Sequence, residues 1–95
     1  YGFGSFFNNG KSISDIDFVI IHRNTSRESC EEAISLKQLI VVKVPNADVT
    51  MLSEKEESEM NFIEISRAKL LGSIKSSKIR KELFYILDQY EIDII

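Results

Sequence analysis

Two periods divide the chain. From Asp15 to Ile21 the sequence Asp-Ile-Asp-Phe-Val-Ile-Ile is dense in β-branched and aromatic residues without a breaker, which predicts a strand. Apolar residues fall on both of its faces, so it should be central in a sheet. Ala47-Asp48-Val49-Thr50-Met51-Leu52 alternates and predicts a second strand, with Asp48, Thr50 and Leu52 on one face. Tyr1 to Ser5 reads as the end of a short strand, followed by turn chemistry from Phe6 to Ser14 with one helical turn after Ser5. The helical stretches are announced by caps. Thr25-Ser26-Arg27-Glu28 fits a capping box and predicts a helix to about Ile40, although Leu39 to Val44 could equally form a strand. Ser53-Glu54-Lys55-Glu56 is a second box, whose helix should reach Leu71 and stop at Gly72. Ser76 or Ser77 starts a last helix carrying Ile79, Leu83, Ile86, Leu87 and Tyr90 at helical spacing, and the apolar tail from Ile92 to Ile95 could add a strand or touch a partner.

Composition narrows the class. Ninety-five residues, 43% hydrophobic and 28% charged, describe one globular domain over residues 1–95 with a small core. Fifteen acidic against 12 basic side chains give a net charge of -3, which does not favour nucleic acid as the main partner. One cysteine, Cys30, and one histidine, His22, can build neither an internal disulfide nor a Cys/His zinc cluster, so a cytoplasmic setting is expected. No apolar run approaches the roughly 18 residues of a membrane span.

The chemistry concentrates on carboxylates. Side chains alternate along a strand, so Asp15 and Asp17 point the same way from an otherwise apolar segment. Burying two such groups together is costly unless a cation sits between them. Asp48 opens the later strand and is a candidate third member; its alternative is a turn residue after Pro45-Asn46. For Asp15 and Asp17 the alternative is a strand end dipping into solvent. His22 and Cys30 are read as a strand-end residue and a small helix hydrophobe. Arg67, Lys69, Lys75, Lys78, Arg80 and Lys81 could form a basic patch, but a solvated face suits them better.

Gly4-Ser5 at a strand end, a short loop, Asp15-Ile16-Asp17 on the next strand and Asp48 opening a later one together resemble the nucleotidyltransferase fold of the DNA polymerase beta superfamily, in particular its minimal nucleotidyltransferases. The resemblance covers Tyr1 to about Leu52, and the following helix with Phe62 and Leu70-Leu71 more loosely. It implies that Asp15, Asp17 and Asp48 hold two Mg²⁺ ions, and that Gly4 and Ser5 seat the phosphates of ATP or another nucleoside triphosphate. The family's Ala-Arg-Gly corresponds here to Phe7-Asn8-Asn9, which leaves Lys11 as the loop's substitute cation.

The fold expected is therefore an α/β (α+β) domain, a small mixed β-sheet with helices packed mainly on one face. The function expected is Mg²⁺-dependent transfer of a nucleoside monophosphate, AMP from ATP, to a hydroxyl acceptor. By the same resemblance the acceptor could be a tyrosine of a helical toxin protein, making the chain an antitoxin. The alternative is a binding or regulatory module of the same fold with little or no catalysis. Self-association is a further expectation, from the apolar tail and from the lack of the helix that the family carries before its first strand.

Overall fold

The computed structural model describes residues 1–9, 15–92 and 94. Three strands, β1 (Gly2–Phe3), β2 (Ile16–His22) and β3 (Ala47–Ser53), form one sheet in the order β1-β2-β3. β1 runs antiparallel and β3 parallel to β2. The apolar run of β2 is thus central, as its two-sided pattern requires. The first strand is shorter than Tyr1 to Ser5, because helix α1 (Gly4–Asn9) begins at Gly4.

Helix α2 (Arg27–Lys43) carries the chain from β2 to the parallel β3, the crossover that parallel pairing demands. Its cap lies one residue beyond the expected Thr25. Ser26 adopts extended angles, its hydroxyl accepts from the Ser29 N–H at 3.2 Å, and Asn24 Oδ1 takes the Ser26 N–H at 2.8 Å. The helix also runs past Ile40 through the β-branched Val41 and Val42. Burial decides this: Ile40 and Val44 are only 3% and 1% exposed against the sheet, so tertiary packing outweighs local strand preference.

The helix expected from Ser53 to Leu71 is instead two. α3 (Glu54–Met60) ends at Asn61, which takes a left-handed conformation (φ 53°), and α4 (Phe62–Ser66) ends at Arg67 in the same conformation (φ 56°). Glu57 Oε2 accepts the Ile63 N–H at 2.9 Å across this corner, and Lys69 beyond it exchanges backbone hydrogen bonds with Gly2. Gly72 caps no helix. It lies under Ile86, whose Cδ1 a methyl at that position would approach to 2.7 Å. A 3₁₀ turn (Ser76–Lys78) leads into α5 (Ile79–Gln89), which buries Leu83, Ile86 and Leu87 as its spacing predicts.

One sheet face, with Ile16, Phe18 and Val49, packs on Phe7 of α1, Ile40 of α2 and Leu83 and Leu87 of α5. The opposite face carries Asp17, Val19 and Leu52, and α3 lies against β2 and β3 there. Helix packing is concentrated on the first face without being confined to it. Ile92 turns inward, 5% exposed, so the tail begins as part of the core rather than as a free strand; Asp93 and Ile95 lie outside the described residues. Among the described residues no helix is long and apolar enough to cross a membrane.

The second capping box forms as the sequence predicts, with the Ser53 hydroxyl accepting from Glu56 N–H at 3.1 Å and the Glu56 carboxylate accepting from Ser53 N–H at 2.9 Å. These bonds from Ser53 hold the Glu56 carboxyl below its usual range. Ser53 is 1% exposed and joins β3 to α3. Ser53→Ala is expected to cost about 1 kcal/mol, a fall of roughly 4–8 °C in melting temperature for a domain of this size, readable by circular dichroism.

Candidate functional site

The register of β2 on β3 sets Asp17 directly beside Asp48, each the other's Cα partner. Because the strands are parallel and paired position for position, the two side chains leave the same face of the sheet. On the other side of Asp17 the register partner is Phe3 of β1. Asp15 precedes β2 by one residue and lies two positions from Asp17, which continues the same alternation. Asp15 and Asp48 are exposed, while Asp17 is half-buried.

These positions make Asp17 the electrostatic centre. Its carboxyl is pushed above the usual carboxylate range, first by burial, then by the negative charges of Asp48 and Asp15. Among the described residues the ion pairs, Arg27–Glu31 and Lys55–Glu59, reach none of the three aspartates. The three carboxylates concentrate negative charge at one end of the β2–β3 pair, a place that attracts cations.

Gly4 closes over Asp17. It has φ +76°, a conformation that glycine alone adopts freely, and a methyl built on its Cα would overlap Asp17 Oδ2 and lie 3.3 Å from Cγ. The sequence motif Gly4-Ser5 and the aspartate strand are therefore in contact, although nine residues separate Ser5 from Asp15. Lys11 and the Ser5 side chain lie outside the described part of the structure, so the phosphate-binding roles implied for them rest on the resemblance alone.

The donor set of three carboxylates suits a hard divalent cation such as Mg²⁺, which takes oxygen ligands and keeps several waters. Among the described residues, however, no three His, Cys, Asp or Glu side chains converge tightly enough to hold an ion by themselves.

The remaining candidates fall elsewhere. His22 Nδ1–H donates to the Asn24 carbonyl at 2.8 Å and lies 3.3 Å from Ser29 Oγ, which shapes the turn into α2. Cys30 is a half-buried free thiol on α2. All six residues of the basic cluster are exposed, and Arg80 lies over the Phe84 ring at 5.3 Å. A concavity of about 1010 Å³ lies between α2 and α5, and none of the three aspartates lines it. Two residues near the site are not marked as site residues by the sequence. Phe3, beside Asp17, meets Phe62 of α4 edge to face at a centroid distance of 5.2 Å. Only the register of a two-residue strand brings Phe3 there, and no periodic pattern announces it.

Comparison with known protein families, with curated proteins and with solved structures finds nothing that matches this chain.

Proposed function

We propose that this chain is a Mg²⁺-dependent nucleotidyltransferase that moves a nucleoside monophosphate, AMP from ATP, onto a hydroxyl acceptor. The observation that carries the reading is the pairing of Asp17 with Asp48 in adjacent parallel strands, with Asp15 close enough to raise the Asp17 pKa and Gly4 packed over the carboxylate. Asp15 and Asp17 would bind the metal on the triphosphate side, and Asp48 would lie on the side from which the acceptor hydroxyl approaches. Bound Mg²⁺ would neutralise phosphate charge and lower the pKa of the attacking hydroxyl.

The chain's own part is positioning. The Gly4 backbone packs against the Asp17 carboxylate, where a side chain would collide with it, and by resemblance Gly4 would let the triphosphate approach the backbone. Ser5 and Lys11, by resemblance, would hold the outer phosphates, and the pyrophosphate leaves from that side. Holding the α-phosphorus in line with the acceptor supplies the rate without any covalent intermediate. The acceptor in this reading is a tyrosine hydroxyl of a helical partner protein, and the chain is the antitoxin of such a pair in the cytoplasm.

A second reading, a nucleotide-binding module without turnover, draws on the absence of a preformed three-ligand cluster among the described residues. ATP labelled at the α-phosphorus, incubated with the chain, Mg²⁺ and cell lysate, separates the two. Transfer predicts label on an acceptor and release of pyrophosphate, neither of which occurs with Mg²⁺ omitted. Metal-dependent binding of ATP with no pyrophosphate above background would instead establish the module.

A further inference from the structure

The chain has six phenylalanines. Four of them serve the main apolar cluster, Phe7 and Phe18 within it and Phe6 and Phe84 packed against it. Phe3 and Phe62 take no part in that cluster. They remain half-buried and pair with each other, ring planes 89° apart, on the sheet face that carries Asp17. The pair shares this face with the buried Val19 and Leu52, and its position beside a carboxylate group points to a reason additional to packing.

The placement supplies one. Asp17 has Asp48 on one side and Phe3 on the other in the sheet, so the site has a charged flank and an aromatic flank. α4 begins at Phe62, immediately after the left-handed Asn61, and that corner, tied by the Glu57 to Ile63 N–H bond, fixes where the Phe62 ring lies. A nucleoside triphosphate has the same two ends, a charged chain and a flat aromatic base. Bases stack on aromatic side chains whatever their hydrogen-bonding edge, and the larger purine surface gains more from it.

We propose that Phe3 and Phe62 form the base-binding wall of the site, with Phe62 the residue that favours purine nucleotides over pyrimidine nucleotides and over bare polyphosphate. This rests on the nucleotidyltransferase reading, since it assumes that phosphates lie at Asp17. Phe62 is a binding residue here and takes no part in the chemistry.

Titration calorimetry with Mg·ATP, Mg·UTP and Mg·tripolyphosphate tests it. The parent chain should bind ATP about tenfold more tightly than tripolyphosphate, with UTP between them, as expected for one stacked base. Phe62→Leu, which keeps an apolar side chain against Phe3, should erase that tenfold advantage and leave the tripolyphosphate affinity unchanged, while Phe62→Trp should retain it. A thermal melt of each variant confirms folding. Equal losses for ATP and tripolyphosphate, or an ATP affinity that Phe62→Leu leaves intact, would overturn the wall while leaving the phosphate site standing. If the parent binds none of the three ligands, the nucleotidyltransferase reading fails and this inference fails with it.

Discussion

If the chain is the nucleotidyltransferase proposed, Asp17→Asn is expected to slow nucleotidyl transfer strongly and at the same time to make the protein more stable at neutral pH. Loss of one preorganised charged group in a site of this kind lowers turnover on the order of 10²- to 10³-fold. The gain in stability follows from the raised pKa. A carboxyl whose pKa is higher in the folded than in the unfolded chain binds more protons when folded, so folding stability falls as pH rises between the two values. Above that window the ionised Asp17, half-buried beside Asp48 and Asp15, opposes folding; below it the carboxyl is protonated in both states and the penalty disappears. Asparagine cannot ionise. Melting curves of parent and variant should therefore approach each other in acid and separate as pH rises through the raised Asp17 pKa, the variant melting higher. A variant that melts lower at neutral pH would show that the carboxylate serves the fold and not a ligand.

Gly4→Ala should damage both the fold and the site. At φ +76° a Cβ costs about 1–2 kcal/mol in backbone strain alone. The new methyl also overlaps Asp17 Oδ2, so the carboxylate must move from its position beside Gly4. A total of about 2–3 kcal/mol is expected, with metal-dependent nucleotide binding lost in the fraction that folds. The two contributions can be separated, since in an Asp17→Ala background the overlap is gone and only the backbone cost remains. A double-mutant cycle that shows no coupling between positions 4 and 17 would contradict the contact.

The strands were legible in the sequence because they obey a local rule. β2 and β3 alternate or run apolar between clear breakers, and both form within a residue or two of the expected bounds. The common face of Asp15 and Asp17 follows from that alternation alone. What no single segment encodes is register. Asp17 lies beside Asp48 because α2, with its length, its buried Ile40 and the buried Val44 that caps it, returns β3 at that height, a property of the whole crossover.

The failures share a cause. Ser53 to Leu71 reads as one helix because Asn61 and Arg67 are not strong breakers, yet both adopt left-handed angles so that Lys69 can reach Gly2 and Phe62 can meet Phe3. Contacts distant in sequence select that corner. The extension of α2 past Ile40 and the inward turn of Ile92 are likewise settled by burial. The cap at Ser26 instead of Thr25 is a slip of one residue between two competent hydroxyls, decided when Asn24 engages the Ser26 N–H.

The carboxylates around Asp17 are proposed to bind a metal-nucleotide complex. The most direct test is titration of ATP into the parent chain and into Asp17→Asn, each with and without Mg²⁺. ATP should bind the parent only in the presence of Mg²⁺, and should not bind Asp17→Asn although that variant remains folded. Binding of equal strength in both proteins, or no metal-dependent binding in the parent, would contradict the proposal.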